Sequence, residues 1–294
     1  MKYSISHKTT YSYGSSVHQS YHLLHLTPAE IGHQRILHHK LSIAPAPSMR
    51  EDRLDYFGNP VTLLAIEEEH DRLVVSAESE IAIRRYFEGD FTSSLDWRLI
   101  ASGAALTGQT GAKDIVQFAA PSRHGRRIRT LADYAASSFP PGRPVLAACE
   151  DLMQRIYEHV TFDPSATDVS TPVEHVFKER RGVCQDFAHL MISALRSLGL
   201  PARYVSGYIL THPPEGQPKL QGADASHAWV SVWSPEFGWV EFDPTNNIVP
   251  RGEHIAIAYG RDYDDISPIS GVLLGGGTHD VDVAVDVVLL DSIP

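Results

Sequence analysis

Hydrophobic and polar positions change period twice along the chain. Through residues 1–88, YSISHKTTYSY, QSYHLLHLTP, LSIAPAP, VTLLAIEEE and RLVVSAESEIAIRRY set apolar residues among polar ones in short runs. Turn signals such as Ala44-Pro45 and Phe57-Gly58-Asn59-Pro60 separate them, which predicts closely spaced strands in an all-β sandwich- or barrel-like domain. Between residues 89 and 113 periodicity fades into Ser, Gly and Thr, as in a connector lying over the surface. The period then becomes helical. Val145, Cys149, Leu152, Met153, Ile156 and Val160 share one face of RPVLAACEDLMQRIYEHV, which places Cys149 in a core. Ser170-Thr171-Pro172 caps a short helix ending near Arg180 and Arg181, a solvated helix end. Phe187, Leu190, Met191, Ala194, Leu195 and Leu198 recur at helical steps until Gly199 and Pro201 stop them. Strands return in ARYVSGYIL, residues 223–233, GWVEF, IAIAYG and the final VDVAVDVVLL. Residues 114–294 therefore form an α+β core with a C-terminal strand.

The chemistry sits where those periods begin and end. Arg181 and Gly182 break the chain just before Cys184, so this thiol falls in the first turn of the 184–198 helix. Unpaired N–H groups and the positive end of the helix dipole there favour thiolate over thiol. A cysteine taken alone reads as a small buried apolar residue; two later stretches change that. His227 heads an aromatic-rich strand, ADASHAWVSVW, and Asp243 closes the next one, just before Pro244. Cysteine on a helix start, histidine on a strand and aspartate at the end of the following strand is the order found in papain-like thiol enzymes.

Composition narrows the alternatives. The 294 residues are 43% hydrophobic and 21% charged, as in ordinary globular chains, and Lys+Arg 25 against Asp+Glu 36 gives −11. No basic footprint for nucleic acid or an anionic membrane exists. The start, MKYSISHKTTYSYG, lacks an apolar leader, and no apolar run approaches about 18 residues; a cytoplasmic protein is expected. Two cysteines, Cys149 and Cys184, exclude a disulfide framework, and the lack of CxxC argues against structural zinc. Seven of the sixteen histidines, His7, His18, His22, His25, His33, His38 and His39, crowd the first 39 residues without a compact ligand spacing; solvated strand faces are expected for them. Gly275 to Gly277 read as a turn, since no lysine or helix start follows as in a phosphate-binding loop.

RRGVCQDFAHL, GLPARYVSGY, SHAWVSVW, GWVEFDPTN and GRDYDDISP together resemble the bacterial transglutaminase-like proteins, some labelled cysteine proteases, and LHLTP and DYFGNPV resemble that family's β-rich N-terminal domain. The resemblance implies a papain-like, transglutaminase-like core, with Cys184 as nucleophile, His227 as general base, Asp243 as orienting acid, and no cofactor. Relatives of this core include cross-linking transglutaminases, peptidases, amidases and inactive scaffolds, so the fold does not choose the reaction. A protein or peptide carboxamide is the expected substrate. Water is the expected acceptor, because the loop from Thr211 to Ser226 is polar and suits a wet lid. The Cys184 backbone N–H is the candidate oxyanion donor. Gln185 is read as a bond to a loop, His189 as core, and Trp229 and Trp239 as core residues able to line a groove. A non-catalytic binding module, or a metal-dependent hydrolase built on the N-terminal histidines, are the competing classes.

Overall fold

A computed structural model describes residues 1–84, 89–107, 111–211 and 226–291; most of the expected lid, residues 212–225, lies outside them. In chain order come strands β1 (Lys2–Leu24), β2 (Gln34–Ala44), β3 (Met49–Leu54), β4 (Pro60–Ile66) and β5 (His70–Ile83). Helices α1 (Trp97–Ala101), α2 (Ala112–Val116), α3 (Arg129–Ala136) and α4 (Val145–His159) follow. Then come β6 (Thr161–Phe162), α5 (Val173–Glu179), β7 (Arg181–Gly182) and α6 (Cys184–Ser197). The chain closes with β8 (Ala202–Ile209), β9 (Ser226–Ser234), β10 (Gly238–Phe242), β11 (His254–Gly260), β12 (Ile269–Gly275) and β13 (His279–Asp291).

One antiparallel sheet grows around β1. The sequence pattern suggested two strands there, but they are one, 23 residues long. Its first half pairs with β5 and β13, and its second half with β4 and β12. A single strand that changes both neighbours along its length makes the sheet curl. β12 and β3 had no forecast in the pattern, and β13, expected with the core, instead extends the first sheet. Gly275, Gly276 and Gly277 all take positive φ in the turn joining β12 to β13, a conformation that disfavours any side chain.

The second sheet has the order β10-β9-β8-β11, and α6 packs across β9 and β8 with α3, α4 and α5 around it. Helical periodicity explains the core: Phe187, Leu190, Met191, Ala194 and Leu195 of α6 are buried against Leu152, Met153 and Ile156 of α4 and Val230 and Val232 of β9. Cys149 belongs to this core. The 89–113 segment is less peripheral than its polarity suggests, for Ile100 and Leu106 are buried in the same cluster.

The two sheets are joined through β11, whose outer edge has no neighbouring strand in this sheet. Side-chain amides replace one. Gln34 donates to the Ala256 carbonyl at 2.7 Å and accepts from its N–H at 3.0 Å, while Asn59 does the same to Tyr259, both at 2.8 Å. An edge otherwise open to foreign strands is thus satisfied by the first sheet. Around it Tyr3, Ile5, Ile81 and Ile83 pack on Tyr208, Ile255 and Ile257. Three of the N-terminal histidines depart from the expected solvated faces, His7, His22 and His25 being 2%, 6% and 3% exposed, whereas His18 and His38 are exposed as expected. His7 lies within hydrogen-bond distance of Tyr208 Oη (2.6 Å) and Thr9 Oγ1 (2.9 Å), and burial pushes its pKa down to about 4.

Near the end of α6, Arg196 is fully buried. It donates to the carbonyls of Phe118 (2.8 Å), Ala202 (2.8 Å), Gly125 (3.3 Å) and Arg261 (2.6 Å) and to Ser122 Oγ (2.8 Å). Burial pushes its pKa down only to about 10, so it stays charged. Arg196→Met would keep the packing volume but strand these acceptors, each costing about 1–3 kcal/mol when left unpaired. We expect a stability loss of at least about 3 kcal/mol, read as a fall in the urea midpoint at unchanged slope.

Candidate active site

Cys184 is presented by a sharp change of direction. α5 ends at Arg180 in the left-handed conformation (φ 57°), and β7 pairs with β6 for only two residues before α6 begins. Gly182 has to lack a side chain, since a Cβ there would sit 2.7 Å from the Asp186 carboxyl. That carboxyl accepts from the Val183 N–H at 2.8 Å and the Thr167 hydroxyl at 2.6 Å, tying the helix start to the loop ahead of α5. Burial raises the Asp186 pKa, and these two bonds offset that only in part. Cys184 is half-buried at the N-terminus of the helix, ahead of its first backbone bonds, which Asp186 and Phe187 make to the Val183 carbonyl at 2.8 and 3.1 Å.

His227 is the second residue of β9 and is 8% exposed. Asp243 follows β10 and is fully buried, held in a two-way backbone bridge with Ile248 (2.8 and 3.2 Å). The structure brings all three residues together. His227 Nε2 lies 2.8 Å from Asp243 Oδ2, and His227 and Cys184 line the same cleft. With Nε2 occupied by the carboxylate, Nδ1 is the nitrogen left for the sulfur. Burial works to lower the His227 pKa, but the Asp243 carboxylate and the Cys184 sulfur outweigh it and push it up to about 10.

Two further residues share the carboxylate. Asn246 Nδ2 donates to Oδ2 at 2.7 Å, and His254 Nε2 lies 2.9 Å from the same oxygen. The backbone N–H groups of Thr245 (3.0 Å) and Asn246 (3.3 Å) reach Oδ1. Burial alone would raise the Asp243 pKa; the hydrogen bonds from His227 and His254 overcome it and hold the group well below the usual carboxylate range. His227, Asp243 and His254 are also the one group among the described residues whose ligand atoms lie within 4.8 Å of one another. Yet both imidazole nitrogens point at a single oxygen at hydrogen-bond distance, so both carry protons there, and a cation would have to displace them.

A cleft of about 780 Å³ opens beside the sulfur, with Tyr157, Phe162, Cys184, His227, Thr245 and Asn246 among its walls. Trp229 and Trp239 do not line it. Trp229 is fully buried and donates to Glu241 Oε2 at 3.0 Å, whereas Trp239 stacks on the Arg203 guanidinium at 4.3 Å in a separate cleft. Glu241, the other carboxylate near the end of β10, also accepts from Tyr259 Oη at 3.2 Å. His189 is buried, stacks on His124 (4.9 Å between ring centres) and accepts from the Tyr263 N–H at 3.2 Å, and burial pushes its pKa down to about 3. Arg180 and Arg181 are exposed and Gln185 half-buried. Sequence reasoning missed Asn246 and His254. An Asn three residues past a strand-ending Asp, and a histidine heading the next apolar strand, were the signals available.

These parts define a class: an α+β protein in which a helix-borne cysteine, a strand-borne histidine and a buried aspartate meet beside a cleft, joined to a curled β-sheet. The chain belongs to the transglutaminase-like family, matching the bacterial transglutaminase-like N-terminal region over residues 3–82 and the transglutaminase-like superfamily core over residues 131–244. It is 37% identical over 295 residues to an uncharacterized protein of Mycobacterium tuberculosis, covering 98% of this chain and 92% of that one. It is 34% identical over 156 residues to a protein-glutamine gamma-glutamyltransferase of Pseudomonas aeruginosa, half of this chain and 23% of that one. A crystal structure of a candidate cysteine protease from Cytophaga hutchinsonii shares the fold, with a TM-score of 0.76 at 24% identity over all of this chain and 92% of that chain.

The shifted pair ties stability to pH. His227, raised from 6.5 to about 10, contributes stability that is full below about pH 6.5 and lost as pH rises through 10. Asp243, lowered from 3.8, contributes stability present above that value and lost as pH falls. The stability gap between the native protein and Asp243→Asn is therefore expected to be widest between about pH 4 and 6.5 and to shrink towards pH 10. Denaturant titrations across pH would show it; a gap independent of pH would refute the pairing.

Proposed function

We propose that the protein is a thiol-dependent acyl-transfer enzyme acting on a carboxamide or peptide bond of a protein or peptide, with water as its main acceptor. The observation that carries this is His227, held by Asp243 at 2.8 Å and lining one cleft with Cys184. The Cys184 sulfur attacks the carbonyl carbon, the C–N bond breaks, and His227 gives its proton to the departing amine or ammonia. A thioester on Cys184 results. Water then attacks it, His227 takes the water's proton, and the carboxylic acid leaves as the thiol is restored. Asp243 stays anionic throughout, fixing the ring's tautomer and stabilising the imidazolium. The Cys184 backbone N–H, at a helix start, is the donor for the oxyanion.

Hydrolysis is our first reading because Thr161, Thr211, Ser226, Thr245 and Asn246 bring polar groups to the cleft beside the apolar Tyr157, Val160, Phe162, Phe187 and Ile209, whereas amine transfer works best in a site that keeps water out. The glutamyltransferase relative supports amine transfer as the second reading. A short glutamine-containing peptide, supplied with excess labelled primary amine and followed by mass spectrometry, separates them. Free acid should dominate; dominant amine incorporation would replace the first reading by the second. Cys184→Ala should abolish both products.

Two further outcomes test the site itself. Iodoacetamide at pH 6 should label Cys184 far faster than Cys149, which is fully buried and whose thiol burial pushes up; equal, slow labelling would favour a non-catalytic module. Asp243→Ala should cost on the order of 10²- to 10⁴-fold in turnover, with Asp243→Asn milder because an amide oxygen can still orient the ring. Full activity in Asp243→Ala would remove Asp243 from the mechanism.

A further inference from the structure

We infer that His254 is a positioning residue that sets how basic His227 is, by sharing the Asp243 carboxylate with it. This rests on the acyl-transfer reading for its consequence, though not for its measurement. His254 is 3% exposed, its Nε2 lies 2.9 Å from the oxygen that accepts from His227 at 2.8 Å, and the two rings are 5.9 Å apart. Trp229 packs edge-on against the His254 ring at 5.1 Å and near-parallel to the His227 ring at 5.9 Å, so one indole holds both imidazoles in place. His254 does not line the cleft that holds Cys184; it lines a separate one of about 730 Å³ with Asn247, Ile248 and Gly252. It acts on the reaction through its neighbours, Asp243 first among them, and not by touching substrate in that cleft.

A carboxylate's pull on an imidazolium weakens as other donors take up its charge. Were His227 the sole imidazole on Asp243, its cation would be held more firmly. That helps the first half-reaction, where the imidazolium supplies a proton, and hinders the second. Once the leaving group has departed and the sulfur is a thioester, His227 must be neutral to take a proton from water. By drawing on the same oxygen, His254 keeps His227 basic enough to be a cation beside the sulfur and weak enough to act as a base on the thioester.

The test uses the full chain with ¹⁵N-labelled histidine and nuclear magnetic resonance, in a Cys184→Ala background where, as in the thioester, no sulfur charge faces the ring. His254→Phe removes the donor and keeps a ring; His254→Gln places an amide N–H near the position of Nε2. The pH at which His227 loses its proton should rise by about one unit in His254→Phe and return to within a few tenths of the parent value in His254→Gln. With Cys184 restored, His254→Phe should accumulate thioester and turn over about tenfold more slowly at pH 7, following the loss of neutral His227. A merely structural role would lower the melting temperature of both variants and leave the His227 titration where it was, which would overturn the inference. Should His254→Phe not fold, the unsubstituted protein decides: His254 must carry its proton on Nε2, and a spectrum showing Nδ1–H with a bare Nε2 would overturn the inference equally. The titration exists whether or not the protein turns over, so its outcome is separate from that of the activity assays.

Discussion

The burial of one carboxylate governs how this molecule is built. Asp243 has no solvent contact, and an isolated ionised carboxylate in such a place would take up a proton instead. It stays charged because donors surround it: two imidazoles, the Asn246 amide and two backbone N–H groups. Those donors come from β9, from the turn after β10, and from the start of β11. The site is therefore assembled only when three separately encoded segments converge, and each is fixed by needs of its own. β9 and β10 form a hairpin, the Asp243–Ile248 bridge closes the turn, and β11 is set by its pairing with β8.

The last of these brings in the N-terminal sheet. β11 is the outermost strand of the core sheet, and its free edge is satisfied by Gln34 and Asn59 of the first sheet. Just upstream, Tyr3 Oη donates to the Gly252 carbonyl at 2.9 Å, two residues before His254. The β-rich region thus acts as a buttress for the strand that delivers one of the carboxylate's partners. On the other side, the GRDYDD segment serves the helix that bears Cys184: Arg196 binds the Arg261 carbonyl, and the Asp262 carboxyl accepts from the His124 N–H at 2.9 Å beside the His124–His189 stack. The GRDYDD stretch, one of those that carry the family resemblance, is a clamp on the far end of α6.

How much of this was legible follows from distance along the chain. Cys184 stood out because its signals are local: a helix-breaking pair, a thiol, then apolar residues at helical spacing. His227 and Asp243 were also readable, since alternation locates strands and Pro244 ends one. The fold class followed from the same periods. What escaped depends on partners far away in sequence. Nothing within ten residues of His254 says that its ring meets Asp243, because that meeting is set by β11 pairing with β8. The buried histidines of the first sheet failed for the same reason: His7 looks like a polar position on an alternating strand, and Tyr208, which meets its other ring nitrogen, arrives 201 residues later. β1 appeared to be two strands because its Gly14-Ser15-Ser16 stretch carries a turn composition, whereas Gly14 and Ser15 in fact bond across to Thr278 and Gly276.

This division between local and distant signals has a physical consequence for the site. The Cys184 thiol is fixed by its own helix start and the few residues around it. The strength of the base cannot be fixed so locally, because a buried carboxylate responds to every donor that can reach it. Those donors hang on an edge strand whose register is held by amide side chains from another sheet. Changes remote from the cleft, at Gln34 or Asn59, would then act first on proton transfer through β11 and His254, and only afterwards on the sulfur.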